Sequence, residues 1–262
     1  MTAPVLVTGG TGTLGRLVVA RLGESGHAVR VLSRRPHEPA GGIEYVTGDL
    51  DTGEGVGPAV DGAGIIVHCA GSTTGDGDKA WSLVRAASSA GVDHLVHISV
   101  VGADRVPVTS RLDRAMFGYF ASKLDAEEVV AGSGLPFTTL RATQFHDLLL
   151  TVAQQLARLP VIPSPSGIRF QPVDAGEVAD RLTELALGRP AGLVPDIAGP
   201  RAYLMSELVG EYLRASGRRR PFVPVRVPGR AARALRDGAN LALDRAVGQR
   251  SWEEFLGARA GV

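Results

Sequence analysis

The apolar positions of this chain fall in short runs separated by longer stretches of mixed pattern. "PVLVT" (4–8), "AVRVLS" (28–33), "IEYVT" (43–47), "GIIVHCA" (64–70), "HLVHIS" (94–99) and "FTTLR" (137–141) are rich in β-branched residues. They read as strands apolar on both faces, the pattern of a sheet covered on both sides. Between them, 13–25, 77–90 and 112–132 carry helical spacing, and a weaker turn falls near 52–60. This alternation predicts βαβ units, hence an α/β fold with a doubly wound parallel sheet of the Rossmann kind.

From about residue 145 the rhythm loosens. "VIPSPSGIRFQPV" (161–173) is Pro-rich and reads as a loop with short strands. "AGEVADRLTELAL" (175–187) is an amphipathic helix, and "LVPDIAG" (193–199) resembles one more strand. No internal repeat or long linker interrupts the 262 residues. The expectation is one domain over 1–262, in which 145–262 adds a small substrate-binding cap.

Charge narrows the class of partner. Lys plus Arg number 28 against 27 Asp plus Glu, so the net charge of +1 sets up no global field for nucleic acid or a membrane. The basic residues are unevenly placed: 211–262 holds eleven Arg and five acids. A solvated helical face is the favoured reading of that excess. The single cysteine, Cys69, excludes an internal disulfide and points to a reducing compartment. No signal-peptide pattern and no membrane-length apolar run is present, so a cytoplasmic protein is expected. Its expected partner is a small-molecule substrate, with no nucleic acid and no membrane, and its expected state is monomer or homodimer.

The candidate chemistry begins at "TGGTGTLG" (8–15), between the first strand and the first helix. Free N–H groups and the helix dipole make such a junction an anion site. Gly9, Gly12 and Gly15 let the backbone turn tightly and approach a pyrophosphate, and Thr11, Thr13 and Leu14 complete the loop. A glycine turn without a ligand is the alternative. The second strand ends in Ser33, Arg34 and Arg35, and Arg34 lies 19 residues after Gly15. An NAD-preferring site places an acid near there to hold the ribose 2′-hydroxyl. A guanidinium fork suits a 2′-phosphate instead, so NADP(H) is favoured over NAD(H); two solvated arginines are the alternative. Asp49 and Leu50, after the third strand, are placed to meet the adenine, and Ala70 and Gly71, after the fourth, to let a ribose approach.

A second constellation is Tyr119-x-x-x-Lys123 on the helix predicted over 112–132. Four residues apart, both side chains share one helical face. With 4 Tyr and 2 Lys in the chain, chance pairs at this spacing number roughly 0.03. The lysine also stands out where 26 of the 28 basic residues are Arg. An ammonium beside a phenol favours the phenolate, which makes Tyr119 a usable general acid/base. A surface Tyr–Lys pair is the alternative.

With these residues in view, the chain resembles the atypical and extended short-chain dehydrogenase/reductase superfamily. TGGTGTLG is similar to its glycine motif, and Tyr119 with Lys123 to its catalytic pair. The runs "HISVVGAD", "ASKLDAEEVV" and "LPFTTLRATQFHD" look like its NmrA-like, NAD(P)-binding branch. The resemblance implies that Ser99, Tyr119 and Lys123 are catalytic. Ser99 would hydrogen-bond a substrate carbonyl, and Lys123 would also hold the nicotinamide ribose. Thr143 would lie near the carboxamide, and Gln144, Phe145 and His146 would line the substrate pocket. The implied activity is NADP(H)-dependent transfer of hydride to or from a small organic substrate. Two rivals are a non-catalytic NADP-sensing regulator and a nucleotide-sugar epimerase or dehydratase. No metal site is expected, because His94 and His97, three apart on a strand, face opposite ways. Cys69, in an apolar strand, reads as inert core.

Overall fold

The computed structural model describes residues 3–39 and 41–260. Strand β1 (Val5–Thr8) runs into helix α1 (Gly15–Glu24), and then come β2 (Val29–Ser33), β3 (Ile43–Thr47) and the short α2 (Val56–Val60). β4 (Ile65–His68), α3 (Asp76–Ala90), β5 (His94–Val100), α4 (Arg111–Ala131) and β6 (Phe137–Ala142) follow. The predicted strands and helices therefore form where the apolar periodicity put them. Among the described residues the main sheet has seven strands in the order β3-β2-β1-β4-β5-β6-β9, where β9 is Gly192–Leu193. β1 pairs in parallel with β2 on one side (Val5 opposite Val29) and with β4 on the other (Val5 opposite Ile65). The strand order reverses at β1, and ligands of such sheets bind beyond the strand ends at that point.

β1 is buried at all four positions and β5 at all seven, as doubly covered strands are. β3 departs from the expectation of two apolar faces. It is the edge strand, with Glu44 and Thr47 exposed and Arg30 of β2 bonded to Glu44 at 2.8 Å. An edge has one neighbour and one flank in water, so charge there discourages further pairing.

Two compact units make up the chain: 1–99 with 122–141 and 176–195, and 100–121 with 142–175 and 196–262. The boundary differs from the expected cap at 145–262. Residues 176–195 belong with the sheet because β9 extends it beside β6, Thr138 opposite Gly192. Asp180 of α6 (Ala175–Leu187) also bonds Arg21 of α1 at 2.5 Å. The first unit is centred on Leu6, Ile66, Leu83, Leu95 and Val130, all essentially inaccessible.

The second unit has its own core. α5 (His146–Leu156), α7 (Met205–Ala215) and α9 (Trp252–Ala260) bury Leu149, Leu208, Leu213, Trp252 and Phe255 together. Beside this core, β7 (Ile162–Pro165) pairs with β11 (Phe222–Val225), and β8 (Arg169–Phe170) pairs with β10 (Tyr203–Leu204). A further helix, α8, covers Arg230–Arg236. No helix among the described residues is long and apolar enough to cross a membrane.

Candidate functional site

At the C-terminal end of β1 the chain turns through Gly9, whose φ of +67° is a conformation side chains rarely adopt. A Cβ at Gly9 would also stand 2.6 Å from the backbone nitrogen of Ala70, just beyond β4. At the start of α1 a Cβ on Gly15 would run into the carbonyl oxygen of Gly9. That oxygen accepts the N–H of Gly12 at 2.9 Å, which draws the loop into a tight ring. Thr11, Gly12 and Thr13 are exposed on its outer side, while Leu14 and Gly15 are buried. The result is a bare backbone at a helix N-terminus, open to an anion.

The neighbouring strand ends lie at the same edge of the sheet. After β2, the Ser33 hydroxyl is committed to its own turn: it accepts the Arg35 N–H at 3.3 Å and lies 3.1 Å from the His37 ring. Arg34 and Arg35 are exposed and make no ion pair among the described residues. After β3, Oδ1 of Asp49 accepts the Asp51 N–H at 2.9 Å, and Leu50 is buried in the core beneath. After β4 come half-buried Ala70 and exposed Gly71.

Lys123 reaches this edge from α4. Its ammonium forms a 3.0 Å ion pair with Asp76 at the start of α3, and the two side chains are only 6% and 1% exposed. A Cβ on Gly71 would lie 2.7 Å from Lys123 Nζ, so only glycine leaves the ammonium its place. Asp76 is held in turn. Its Oδ1 accepts the Ser72 N–H at 2.8 Å, and its own N–H donates to the Ser122 hydroxyl at 2.9 Å. Lys79 bridges Ser72 at 2.9 Å and Asp51 at 2.8 Å.

Behind Lys123 lies a buried polar column. Thr8 Oγ1 is 2.7 Å from His68 Nδ1, and the His68 and His97 rings stack at 5.2 Å. Burial, then the charges of Lys123 and Lys79, lowers His68 to about 3. His97 is likewise held well below its ordinary value, first by burial. Both rings are neutral at physiological pH. Burial pushes the Cys69 thiol up to about 12, so it is a poor nucleophile. His94 has a separate partner, Thr138 Oγ1 at 2.8 Å. Ser99 is buried near the end of β5, and its hydroxyl has no hydrogen-bond partner among the described residues.

Comparison with known proteins adds to this geometry. Residues 9–157, from the glycine turn through α5, match the family described as NAD(P)H-binding. This chain belongs to that family. A Streptomyces griseus enzyme, (4-alkanoyl-5-oxo-2,5-dihydrofuran-3-yl)methyl phosphate reductase, is 28% identical over 219 residues, which cover 82% of this chain and 74% of the relative. An NADPH-dependent quinone oxidoreductase from Escherichia coli, solved with NADPH, superposes with a TM-score of 0.79 at 18% identity, over 97% of this chain and 99% of that one. Triphenylmethane reductase from Citrobacter sp., solved with NADP(H), gives 0.76 at 19% identity over 97% and 99%. The resemblance to atypical short-chain dehydrogenase/reductases is borne out.

Cβ atoms at Gly9 and Gly15 would collide with the backbone of Ala70 and of Gly9 itself, so the tight turn keeps glycine at both positions. Gly15→Ala tests that fit. Its methyl must displace the Gly9 carbonyl, and such overpacking costs about 1–3 kcal/mol. A lower melting temperature and at least about tenfold weaker NADPH binding are expected. An unchanged melt and affinity would show that the turn has slack.

The second unit contains the remaining expected residues. Tyr119 lies on α4 one turn before Lys123 and is 38% exposed. Thr143 is buried just after β6, with its N–H donated to Ile197 O at 3.0 Å and its hydroxyl unpartnered. Gln144 and Phe145 are half-buried. His146 corrects the expectation of a substrate wall. It is fully buried, stacked on Phe255 at 4.7 Å and on Trp252 at 5.9 Å, and offers no surface to a ligand. The cause is the apolar face of α5, which turns its first residue into the core it shares with α9. A cleft in this unit, about 430 Å³, lies elsewhere, lined by Arg201, Tyr203, Glu207, Arg214 and Glu253.

Sequence reasoning missed Asp76, Ser72 and Ser122. An available signal was the acid at the first position of a helix following "STTG".

Proposed function

We propose that this chain is an NADP(H)-dependent oxidoreductase acting on a small organic substrate. The observation that carries the reading is the convergence, at one sheet edge, of a glycine cradle that excludes side chains and a buried ammonium beside Gly71. NADPH supplies the hydride when bound. The glycine turn holds its pyrophosphate, Arg34 and Arg35 meet the 2′-phosphate, and Asp49 faces the adenine. Lys123 holds the nicotinamide ribose. Ser99 would donate to the substrate oxygen and Tyr119 would move the proton, and Thr143, Gln144 and Phe145 are the residues proposed to contact the nicotinamide and the substrate. The reductases similar to this chain support an oxidoreductase over a sensor.

Calorimetric titration tests the cofactor reading. NADPH is expected to bind at least about tenfold more tightly than NADH, which corresponds to the loss of one charge-assisted phosphate contact. Arg34→Ala is expected to weaken NADPH selectively and leave NADH nearly unchanged. Equal affinities in the parent protein would overturn the NADP(H) preference. Following NADPH oxidation with a quinone, a triphenylmethane dye and an unsaturated lactone phosphate tests the activity. No turnover with any of them, alongside tight NADPH binding, would favour a sensor.

A further inference from the structure

We propose that Asp76 is the positioning residue for Lys123: its carboxylate holds the ammonium in place beside Gly71. The inference rests on the reading of Lys123 as the ribose ligand. An ammonium taken out of water loses its hydration, and a carboxylate at ion-pair distance offsets that loss and fixes its direction. An untethered ammonium would be a poorer partner for ribose hydroxyls. The side chain is 94% shielded, yet it points to the sheet edge where Gly71 leaves room for it.

The charges around Lys123 single out Asp76. On β4 and β5, His68 and His97 are neutral, and Cys69 stays a thiol. On α3, Lys79 is matched by Asp51 at 2.8 Å. One turn further along α4, Glu127 is committed to Arg141 of β6 at 2.6 and 2.9 Å, and one turn back stands the phenol of Tyr119. Asp76 makes the 3.0 Å ion pair with the ammonium. Its orientation is over-determined, since Ser72 donates to it from the β4–α3 loop and Ser122, next to Lys123, accepts its N–H. That last bond ties the start of α3 to the residue beside Lys123, so the distance between the two charges is set by backbone as well as by attraction.

The test is NADPH affinity in Asp76→Asn, Asp76→Glu, Lys123→Met and the Asn–Met double variant. Asp76→Asn is expected to bind about tenfold more weakly, or worse. On the Lys123→Met background the same substitution should change affinity by less than about twofold, because no ammonium remains for Asp76 to hold. Asp76→Glu keeps the charge and is expected to recover most of the lost affinity; it carries the test if the Asn variant does not fold. An equal loss on both backgrounds, no recovery in Asp76→Glu, or no loss in Asp76→Asn while Lys123→Met binds weakly would overturn the inference alone. Parent-like NADPH binding by Lys123→Met would overturn the ribose reading, and this inference with it.

Discussion

Tyr119→Phe is expected to lower kcat by about 10²-fold or more while NADPH affinity stays within about twofold of the parent. The substitution deletes one hydroxyl and keeps the ring, which is 38% exposed and meets Phe120 edge-on, so the fold should be little affected. What it removes is the proton that must accompany hydride. Tyr119 shares a helical face with Lys123. Single-turnover mixing of NADPH-loaded protein with an accepted substrate separates the chemical step from cofactor binding. A slow step with unchanged KM would mark an interaction made in the transition state. Full turnover in Tyr119→Phe would place the proton donor elsewhere, and the buried, unpartnered Ser99 hydroxyl would be the next group to test.

Stability is expected to fall steeply as the pH drops from about 6.5 toward 4. His146 is lowered to about 4, first by burial; of the smaller influences, Asp174 and Asp147 raise it and Arg250 and Arg259 lower it. An unfolded histidine titrates near 6.5, so between the two values the unfolded state binds more protons and acid favours it. The contribution is fully present above about 6.5 and is lost as the pH falls to about 4. A shift of that size corresponds to about 3 kcal/mol, a large share of a typical margin of about 5–15 kcal/mol. His68, lowered to about 3, and His97 act in the same direction in the first unit. Urea melts at several pH values, with His146→Phe as the comparison, measure the effect. Phe can keep the stack on Trp252 and Phe255 without a ring nitrogen to protonate, so the variant should gain on the parent as the pH falls through this window. A stability difference that does not change with pH would overturn the assignment.

The order of elements was legible because it depends on local periodicity. Apolar runs of strand length and amphipathic stretches of helix length occur only where the chain must bury two faces or one stripe. "TGGTGTLG" was legible for a related reason: a strand–turn–helix junction that needs a positive φ and no Cβ restricts its residues to glycine, and that restriction is written in the sequence. Lys123 was conspicuous by composition, as one of two lysines among 26 arginines. Tertiary structure decided what each polar side chain meets. Asp76, 47 residues from Lys123, becomes its partner only because the start of α3 packs beside the middle of α4. His146 looked like a pocket residue beside Phe145, yet the packing of α5 on α9 buries it in one cluster with the rings of Trp252 and Phe255. β3 read like its neighbours, but its edge position leaves one flank in water. The unit boundary likewise follows from the pairing of β9 with β6, a long-range contact of two residues that no local pattern encodes. Periodicity and backbone constraint act between residues a few positions apart, so the sequence by itself determined the elements and the glycine cradle. Burial, charge pairing and pKa depend on neighbours tens of residues away, and these only the folded chain decided.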